Sequence, residues 1–213
     1  MLTVRQFTFN PVQENTYVVY NGEGECCIVD PGCYFQAERD ELKDFIIGNG
    51  LVPKYLLNTH CHLDHVFGNK FVFETWGLEL YLHEMEKKVF DYAPTSAKHW
   101  GLPFENYVGP FHWLHSGDEI VLGQNRLSVL FTPGHSPGHV SFYCPEDKFV
   151  LSGDVLFRRS IGRTDLPGGS FDRLIQSIRE ELFVLPEDTK VYSGHGDETT
   201  IGTEKKENPF LKA

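Results

Sequence analysis

The chain lacks the features that mark secreted and membrane-spanning proteins. Its 213 residues include five cysteines, an odd number, and Cys26 and Cys27 are adjacent, so we expect no disulfide framework. No apolar run approaches the roughly 20 residues that cross a bilayer. The first five residues, 1–5, do not form a charged-then-apolar secretion signal. Together these absences predict a protein of the reducing cytoplasm.

Positive charge is also scarce. The chain has 19 Lys and Arg residues against 30 Asp and Glu, a formal net charge of −11. This balance disfavours nucleic acid or an anionic membrane as a partner, so we expect a small-molecule substrate. The length suits a single domain over residues 1–213, as a monomer or a small homo-oligomer.

Potential metal ligands are concentrated in one heptapeptide. Residues 59–65 read Thr-His-Cys-His-Leu-Asp-His and follow an apolar run. In an extended segment alternate side chains point to the same side, so His60 and His62 are expected to converge on one ion. The same alternation turns Cys61 away, which favours a packed thiol over a metal ligand at that position.

Two further ligand types close the heptapeptide, where we predict a helix from Asp64 to about Trp76. An acidic residue in the first turn of a helix is favoured by the helix dipole. Asp64 and His65 leave the backbone in a different direction from the preceding histidines. They therefore suit a second, adjacent ion.

The pattern of an apolar run, a glycine and a ligand-type residue recurs three times. Glycine relaxes the backbone limits on a sharp turn at a strand end. The recurrences are Gly134-His135, Gly153-Asp154 and Gly194-His195. If all these strands end at one edge, five His and two Asp meet there, a donor set typical of Zn, Fe or Mn.

The number of donors predicts two catalytic ions, with zinc preferred over iron or manganese. One ion would take His60, His62 and His135; the other would take Asp64, His65 and His195; Asp154 would bridge them. Each ion then keeps an open position, as in catalytic rather than structural sites. Two such ions would hold a bridging hydroxide and polarise a substrate oxygen.

These motifs, with Gly68 after the heptapeptide, resemble the metallo-β-lactamase superfamily, and within it the glyoxalase II-like hydrolases. The stretch 162–169, Gly-Arg-Thr-Asp-Leu-Pro-Gly-Gly, resembles one shared with the persulfide dioxygenases. The ending from Ser193 to Leu211 is similar to that of short, single-domain glyoxalase II-like proteins. The resemblance covers nearly the whole chain and implies an α/β fold, the αββα four-layer sandwich of two mixed β-sheets with helices on the outer faces.

The resemblance implies a metal-dependent hydrolase of thioesters, such as hydroxyacylglutathione, with Asp64 in a catalytic role. The chain ends about 18 residues after His195. We therefore expect no separate C-terminal helical domain for glutathione. The alternatives are a persulfide dioxygenase-like enzyme with a single iron ion, on residues matching His60, His135 and Asp154, and a lactonase or other ester hydrolase.

The periodicity agrees with two clusters of strands and helices. Strands are predicted at residues 3–9, 15–20 and 25–30, then one that ends at about residue 58, one at 79–82, four to six more within 120–151, and one at 190–192. Helices are predicted at 38–47 and 84–92. The cleanest helix is 171–182, with Ser170 as its N-cap and an apolar stripe from Phe171 to Leu182.

Several residues are left with two interpretations. Residues 93–116, rich in aromatics and without a clear period, are either a lid over the metals or an oligomer contact. Asp30 either orients a ligand imidazole or caps a turn. For His139 a structural role is favoured over that of ligand or acid. The basic residues either receive an anionic substrate tail or are solvated surface; they are Arg158, Arg159, Arg163, Lys205 and Lys206.

Overall fold

The computed structural model describes residues 1–212. The chain divides into two compact units, residues 1–114 with 121–125, and residues 115–120 with 126 onward. It contains two six-stranded sheets and one two-stranded sheet. Both large sheets are mixed, with parallel and antiparallel pairs, so the predicted α/β class with two mixed sheets is confirmed. No helix within residues 1–212 is long and apolar enough to cross a membrane.

The first unit carries the sheet of order β1-β2-β3-β4-β5-β6. Its strands are β1 (Leu2–Phe9), β2 (Glu14–Asn21), β3 (Glu25–Val29), β4 (Val52–Leu57), β5 (Leu80–Leu82) and β6 (Phe111–Trp113). Its helices are α1 (Gln36–Gly48), α2 (Leu63–Val66), α3 (Asn69–Trp76) and α4 (Lys87–Trp100), with a 3-10 turn at Glu84–Glu86. The central strand β3 is buried from Cys26 to Val29, as expected for a strand covered on both faces.

The second large sheet has the order β14-β13-β10-β9-β8-β7. Its strands are β7 (Glu119–Leu122), β8 (Asn125–Phe131), β9 (Val140–Cys144), β10 (Phe149–Gly153), β13 (Lys190–Ser193) and β14 (Thr199–Thr200). A small hairpin, β11 (Leu156–Phe157) with β12 (Ser160–Ile161), follows β10. The helices are α5 (Phe171–Ser177), which continues as a π-helix over Ile178–Leu182, and α6 (Ile201–Glu207).

The α5 segment confirms most of the predicted amphipathic helix. The Ser170 side chain accepts a hydrogen bond from the backbone N–H of Arg173, so Ser170 is the N-cap. Leu174, Ile178 and Leu182 are fully buried in the core of this unit. Phe171 was expected in the same stripe but is half exposed, because it lies in the first turn, beyond the core.

Two other predictions needed correction, and some elements were missed. The helix expected from Asp64 to Trp76 is two helices, because the backbone N–H of Gly68 turns to bond the carbonyl of Pro31. The helix expected to end at Tyr92 continues to Trp100, so the first third of the 93–116 segment is helical rather than irregular. Strand β6 and helix α6 were not predicted at all, since both are short and lack a clear period.

Candidate metal centre

The first part of the site forms where two parallel strands end side by side. Val29 at the end of β3 pairs with Leu57 at the end of β4, and the Asp30 N–H donates to the Leu57 carbonyl at 2.9 Å. The heptapeptide begins two residues after β4 ends. Parallel pairing therefore brings Asp30 next to Thr59 although 29 positions separate them.

Asp30 is a buried acceptor for this turn. Its Oδ1 accepts from the Asn58 side-chain amide at 3.2 Å and the Thr59 backbone N–H at 2.7 Å. Its Oδ2 accepts from the Thr59 hydroxyl at 2.6 Å and lies 3.2 Å from Nδ1 of His65. Asp30 also has a left-handed φ of 47°, a conformation that Asp tolerates better than most residues. Of its two interpretations, the structure supports the one in which Asp30 orients an imidazole.

These bonds set the tautomers of two buried histidines. The Thr59 hydroxyl gives its hydrogen to Asp30, so the same oxygen accepts from Nδ1 of His60 at 3.0 Å. Nδ1 of His65 donates to the Asp30 carboxylate. In both rings Nε2 therefore carries the lone pair, the form in which imidazole binds metals.

The other ligand candidates of the heptapeptide lie close by. The rings of His60 and His62 are 4.8 Å apart between centroids, and those of His60 and His65 are 4.1 Å apart. Asp64 Oδ2 lies 3.5 Å from Nε2 of His65. Donor atoms of Asp30, His60 and His65 all fall within 4.8 Å of one another.

Glu14 is a buried acid beside this turn that we did not predict. Its side chain is fully buried, accepts from the Thr16 hydroxyl at 2.9 Å and lies 3.8 Å from Nδ1 of His65. Burial raises the pKa of the Glu14 carboxyl well above its ordinary value. Glu14 is the only charged residue of β2, which is the one signal the sequence offered.

Cys61 takes no part in this arrangement. Its thiol is fully buried within the core of the first unit, and its backbone N–H donates to Glu86 Oε2 at 2.8 Å. Burial raises the pKa of the thiol well above its ordinary value, so it is not a thiolate near neutral pH. The predicted packed thiol is confirmed.

In the second unit, two further parallel strands end together. β10 pairs with β13, and the Gly194 N–H donates to the Gly153 carbonyl at 2.9 Å, so Asp154 and His195 follow adjacent strands. Nε2 of His195 lies 3.7 Å from Asp154 Oδ2. Nε2 of His135, after β8, lies 3.4 Å from the same oxygen. The glycine-ligand pattern therefore brings all three second-unit candidates together.

The Nδ1 atom of His135 is held by a backbone group. This atom lies 2.8 Å from the carbonyl of Arg163, which only accepts, so Nδ1 carries the hydrogen and Nε2 the lone pair. The preceding turn packs tightly against α5. A Cβ on Gly134 would lie 2.3 Å from the backbone nitrogen of Leu174, and the Ser177 hydroxyl donates to the Pro133 carbonyl at 2.6 Å.

His139 anchors Asp154 through the backbone. Nε2 of His139 accepts from the Asp154 N–H at 3.1 Å, which requires the hydrogen on Nδ1. Nδ1 lies 3.1 Å from the Thr132 hydroxyl, which in turn contacts Ser141 at 2.9 Å. The ring is fully buried. These contacts support the structural role that was favoured for His139.

A profile described as the Metallo-beta-lactamase superfamily matches residues 9–195. The chain belongs to this superfamily. It is a metal-dependent hydrolase, and its buried His and Asp clusters are of the kind that binds metals in this fold.

Two relatives and a solved structure place the chain more closely within the superfamily. It is 42% identical over 208 residues to the probable metallo-hydrolase YqgX of Bacillus subtilis, covering 97% of this chain and 96% of YqgX. It is 39% identical over 203 residues to the hydroxyacylglutathione hydrolase GloC of Haemophilus influenzae, covering 94% of each. The crystal structure of TTHA1623 in a di-iron-bound form matches with a TM-score of 0.88 and 41% identity, covering 98% of this chain and all of that one. These similarities confirm the metallo-β-lactamase fold.

The residues present fit the metals that the superfamily implies. His60, His65 and His135 are buried imidazoles, and each has Nδ1 within hydrogen-bond distance of an oxygen atom, so Nε2 would be the nitrogen that binds a metal. Histidines that bind a metal through one ring nitrogen typically donate a hydrogen bond from the other to an oxygen atom. Aspartate oxygens complete a mixed nitrogen and oxygen donor set in each unit, suited to Zn, Fe or Mn.

Proposed function

We propose that the chain hydrolyses acyl thioesters, with hydroxyacylglutathione as the leading substrate, at a centre of two divalent transition-metal ions. The observation that carries the metal centre is the oxygen atom within hydrogen-bond distance of Nδ1 in each of His60, His65 and His135, which leaves Nε2 for a metal. The choice of a thioester is supported by the 39% identity to the hydroxyacylglutathione hydrolase GloC.

The proposed ligand sets are those expected from the sequence. His60, His62 and His135 would hold one ion, and Asp64, His65 and His195 the other. Asp154 would bridge the two, since a carboxylate offers two oxygens. The hydrogen bond from His65 to Asp30 supports the second set. A buried carboxylate at Nδ1 fixes the orientation of the ring and leaves Nε2 for the metal.

Two bound ions would supply an activated water and a Lewis acid for the substrate carbonyl oxygen. In the reaction a water oxygen bonds to the acyl carbon, the carbon–sulfur bond breaks, and a carboxylic acid and a thiol result. We assign to Asp64 the further role of orienting the attacking water; its side chain is about one-fifth exposed. Because a thiolate leaves readily, no side chain is required as a general acid.

The test is turnover of lactoylglutathione by protein loaded separately with Zn, Fe or Mn, with thiol release as the measurement. We expect saturable turnover, and a loss of at least about 100-fold in Asp64→Asn. Asp44→Asn, an exposed carboxylate on α1, is the matched control and should behave as wild type. Absence of turnover with every metal would refute the thioester assignment while leaving the hydrolase family in place.

Metal content per chain distinguishes the alternatives. Two ions support the hydrolase, with zinc preferred; the di-iron form of TTHA1623 makes iron the first competitor. One iron per chain, with oxygen uptake on glutathione persulfide, would favour the persulfide dioxygenase-like reaction instead. Turnover of a lactone in preference to any thioester would favour the lactonase.

The same proposal includes a cellular location, a class of partner and an oligomeric state. We assign the protein to the cytoplasm, with a small-molecule substrate and neither nucleic acid nor membrane as a partner. Fractionation of cells and light scattering of the purified protein test the location and the expected monomer or small homo-oligomer.

A further inference from the structure

The first unit contains a cavity outside the ligand residues. Its volume is about 380 Å³, within the roughly 300–1,000 Å³ range of small-molecule sites. Four aromatic rings line it, those of Tyr34, Phe67, Phe71 and Phe104. An apolar wall of this kind suits a ligand with a flat or branched hydrocarbon body.

The aromatic wall is preformed. The rings of Tyr34 and Phe67 lie 4.7 Å apart between centroids, and Phe104 meets Phe67 edge-on at 5.7 Å. The backbone at Tyr34 is fixed as well, because its N–H donates to Glu38 Oε2 at 2.8 Å. Phe67 lies two residues after His65, and Tyr34 four residues after Asp30. The same two segments therefore build the cavity wall and the first part of the metal centre.

The charges around the cavity leave one cation without a counter-ion. Lys70 pairs with Glu105 and lies 3.7 Å from Glu74, so its charge is balanced. Arg39, the fourth residue of α1, donates through Nε to the Cys33 carbonyl at 3.4 Å. Among residues 1–212, no carboxylate oxygen lies within 4.0 Å of the Arg39 guanidinium.

The basic residues considered from the sequence differ from Arg39. Arg158 pairs with Asp197 at 3.1 Å, Arg159 with Glu207 at 2.6 Å, and Lys206 with Glu187 at 3.4 Å. Arg163 binds both oxygens of Asp165, whose pKa it lowers to about 2. Lys205 lies over the ring of Phe183. Four of these five cations are neutralised by carboxylates, whereas Arg39 presents a guanidinium to an aromatic cavity.

We propose that this cavity binds an organic carboxylate with an aromatic or branched acyl body, and that Arg39 pairs with the carboxylate. A guanidinium offers parallel N–H donors that match the two oxygens of a carboxylate. The aromatic wall takes the body of the ligand. The proposal goes beyond thioester hydrolysis, because it concerns binding and does not depend on turnover.

The test is calorimetric titration of the metal-loaded full-length protein with 1-naphthylacetate and with its neutral isostere 1-naphthylacetamide. We expect the acid to bind about tenfold more tightly than the amide, as the loss of one charge-assisted pair implies. Arg39→Gln should weaken the acid about tenfold and leave the amide unchanged. Arg173→Gln is the matched control, an exposed arginine whose guanidinium donates to the Gln176 side chain, and should bind as wild type.

A second variant tests the aromatic wall, and melting temperatures separate a loss of binding from a loss of folding. Phe104→Leu removes an aromatic face without changing charge, and we expect about threefold weaker binding of both probes. Melting temperatures of both variants show whether they are folded. Acid binding that is equal in wild type and Arg39→Gln would overturn the proposal and place the carboxylate elsewhere, for example on the metals. Equal affinity for acid and amide would overturn it too.

An inhibition assay shows whether the natural carboxylate belongs to the substrate or to a separate ligand. In this assay 1-naphthylacetate is added while the protein hydrolyses its substrate, and the rate of hydrolysis is measured. Competitive inhibition that Arg39→Gln relieves would support the proposal and assign the cavity to the carboxylate end of the substrate. Tight, Arg39-dependent binding without inhibition would also support it and indicate a separate ligand. Failure of lactoylglutathione as a substrate leaves the calorimetric result intact.

Discussion

The two units support their candidate ligands by different means. In the first unit, one buried carboxylate, Asp30, accepts from the Thr59 hydroxyl and from His65, and through Thr59 it also orients His60. In the second unit, Nδ1 of His135 donates to the backbone carbonyl of Arg163. The backbone N–H of Asp154 donates to Nε2 of His139. A carboxylate therefore positions the candidate ligands of the first unit, whereas hydrogen bonds of backbone groups position those of the second.

This difference determines where each arrangement is vulnerable. A single side-chain replacement at Asp30 removes the acceptor of His65 and also the acceptor that orients the Thr59 hydroxyl toward His60. No side-chain replacement at Arg163 removes the acceptor of His135, because that acceptor is a carbonyl. The second unit is instead sensitive at glycines that allow close approach of the backbone.

The largest effect is expected for Asp30→Ala. The substitution removes the buried carboxylate that accepts from Thr59 and His65, so we expect a loss of about 3 kcal/mol in the free energy of unfolding and a loss of metal affinity of roughly 10- to 100-fold. Asp30→Asn tolerates the left-handed backbone and isolates the loss of charge, so its effect should be smaller. Denaturant unfolding and chelator competition measure both quantities. Wild-type metal affinity in Asp30→Ala would contradict the role assigned to Asp30.

Gly162→Ala should show the next largest effect, through the backbone of the second unit. A Cβ at this position would lie 1.9 Å from the Asp154 carbonyl oxygen and 3.2 Å from Cβ of His135. We expect a loss of about 2 kcal/mol in stability together with reduced metal content. Gly22→Ala is the control, since a Cβ there meets nothing within 4 Å. Equal melting temperatures for the two variants would show that the close approach at Gly162 has no energetic role.

His139 tests whether a neutral acceptor suffices to position Asp154. His139→Leu leaves the buried Asp154 N–H without this acceptor and should cost about 1–2 kcal/mol, with weaker metal binding. His139→Gln restores an acceptor oxygen and should recover part of the affinity. The d–d spectrum of cobalt-substituted protein reports the ligand geometry. Identical spectra for the Leu and Gln variants would mean that His139 serves only to fill the core.

Cys61→Ala should have the smallest effect on the metals, although its neighbours are both proposed ligands. The thiol is buried in the core and has a raised pKa, so the variant should keep wild-type metal content. A loss of about 1 kcal/mol in stability is expected from the small cavity. Metal analysis by mass spectrometry checks this; a loss of one ion per chain would show that Cys61 is a ligand after all.

Much of the fold follows from local patterns. The three N-terminal strands, the helix near 38–47 and the capped helix after Ser170 lie close to their predicted places because their periodicity and turn residues are strong. The errors fall where a distant contact decides the local structure. The helix after the heptapeptide breaks because Gly68 bonds Pro31, and a Cβ on Gly68 would lie 2.4 Å from the Cys33 sulfur.

The candidate site divides in the same way. The glycine-ligand pattern correctly predicted that Asp154 and His195 follow neighbouring strand ends, because parallel strands end at one edge. Glu14, the support of His135 by Arg163 and the cavity at Arg39 were not predicted. Each depends on packing between segments that are far apart in the chain.

The sequence by itself determined the types of donor, their short spacing and the family, because these depend on residues that are neighbours along the chain. Only the tertiary structure decided which ring nitrogen of His65 and of His135 carries the hydrogen. That choice depends on hydrogen bonds across 35 positions for His65 and 28 for His135, and bonds of that span exist only after the strands and loops have packed.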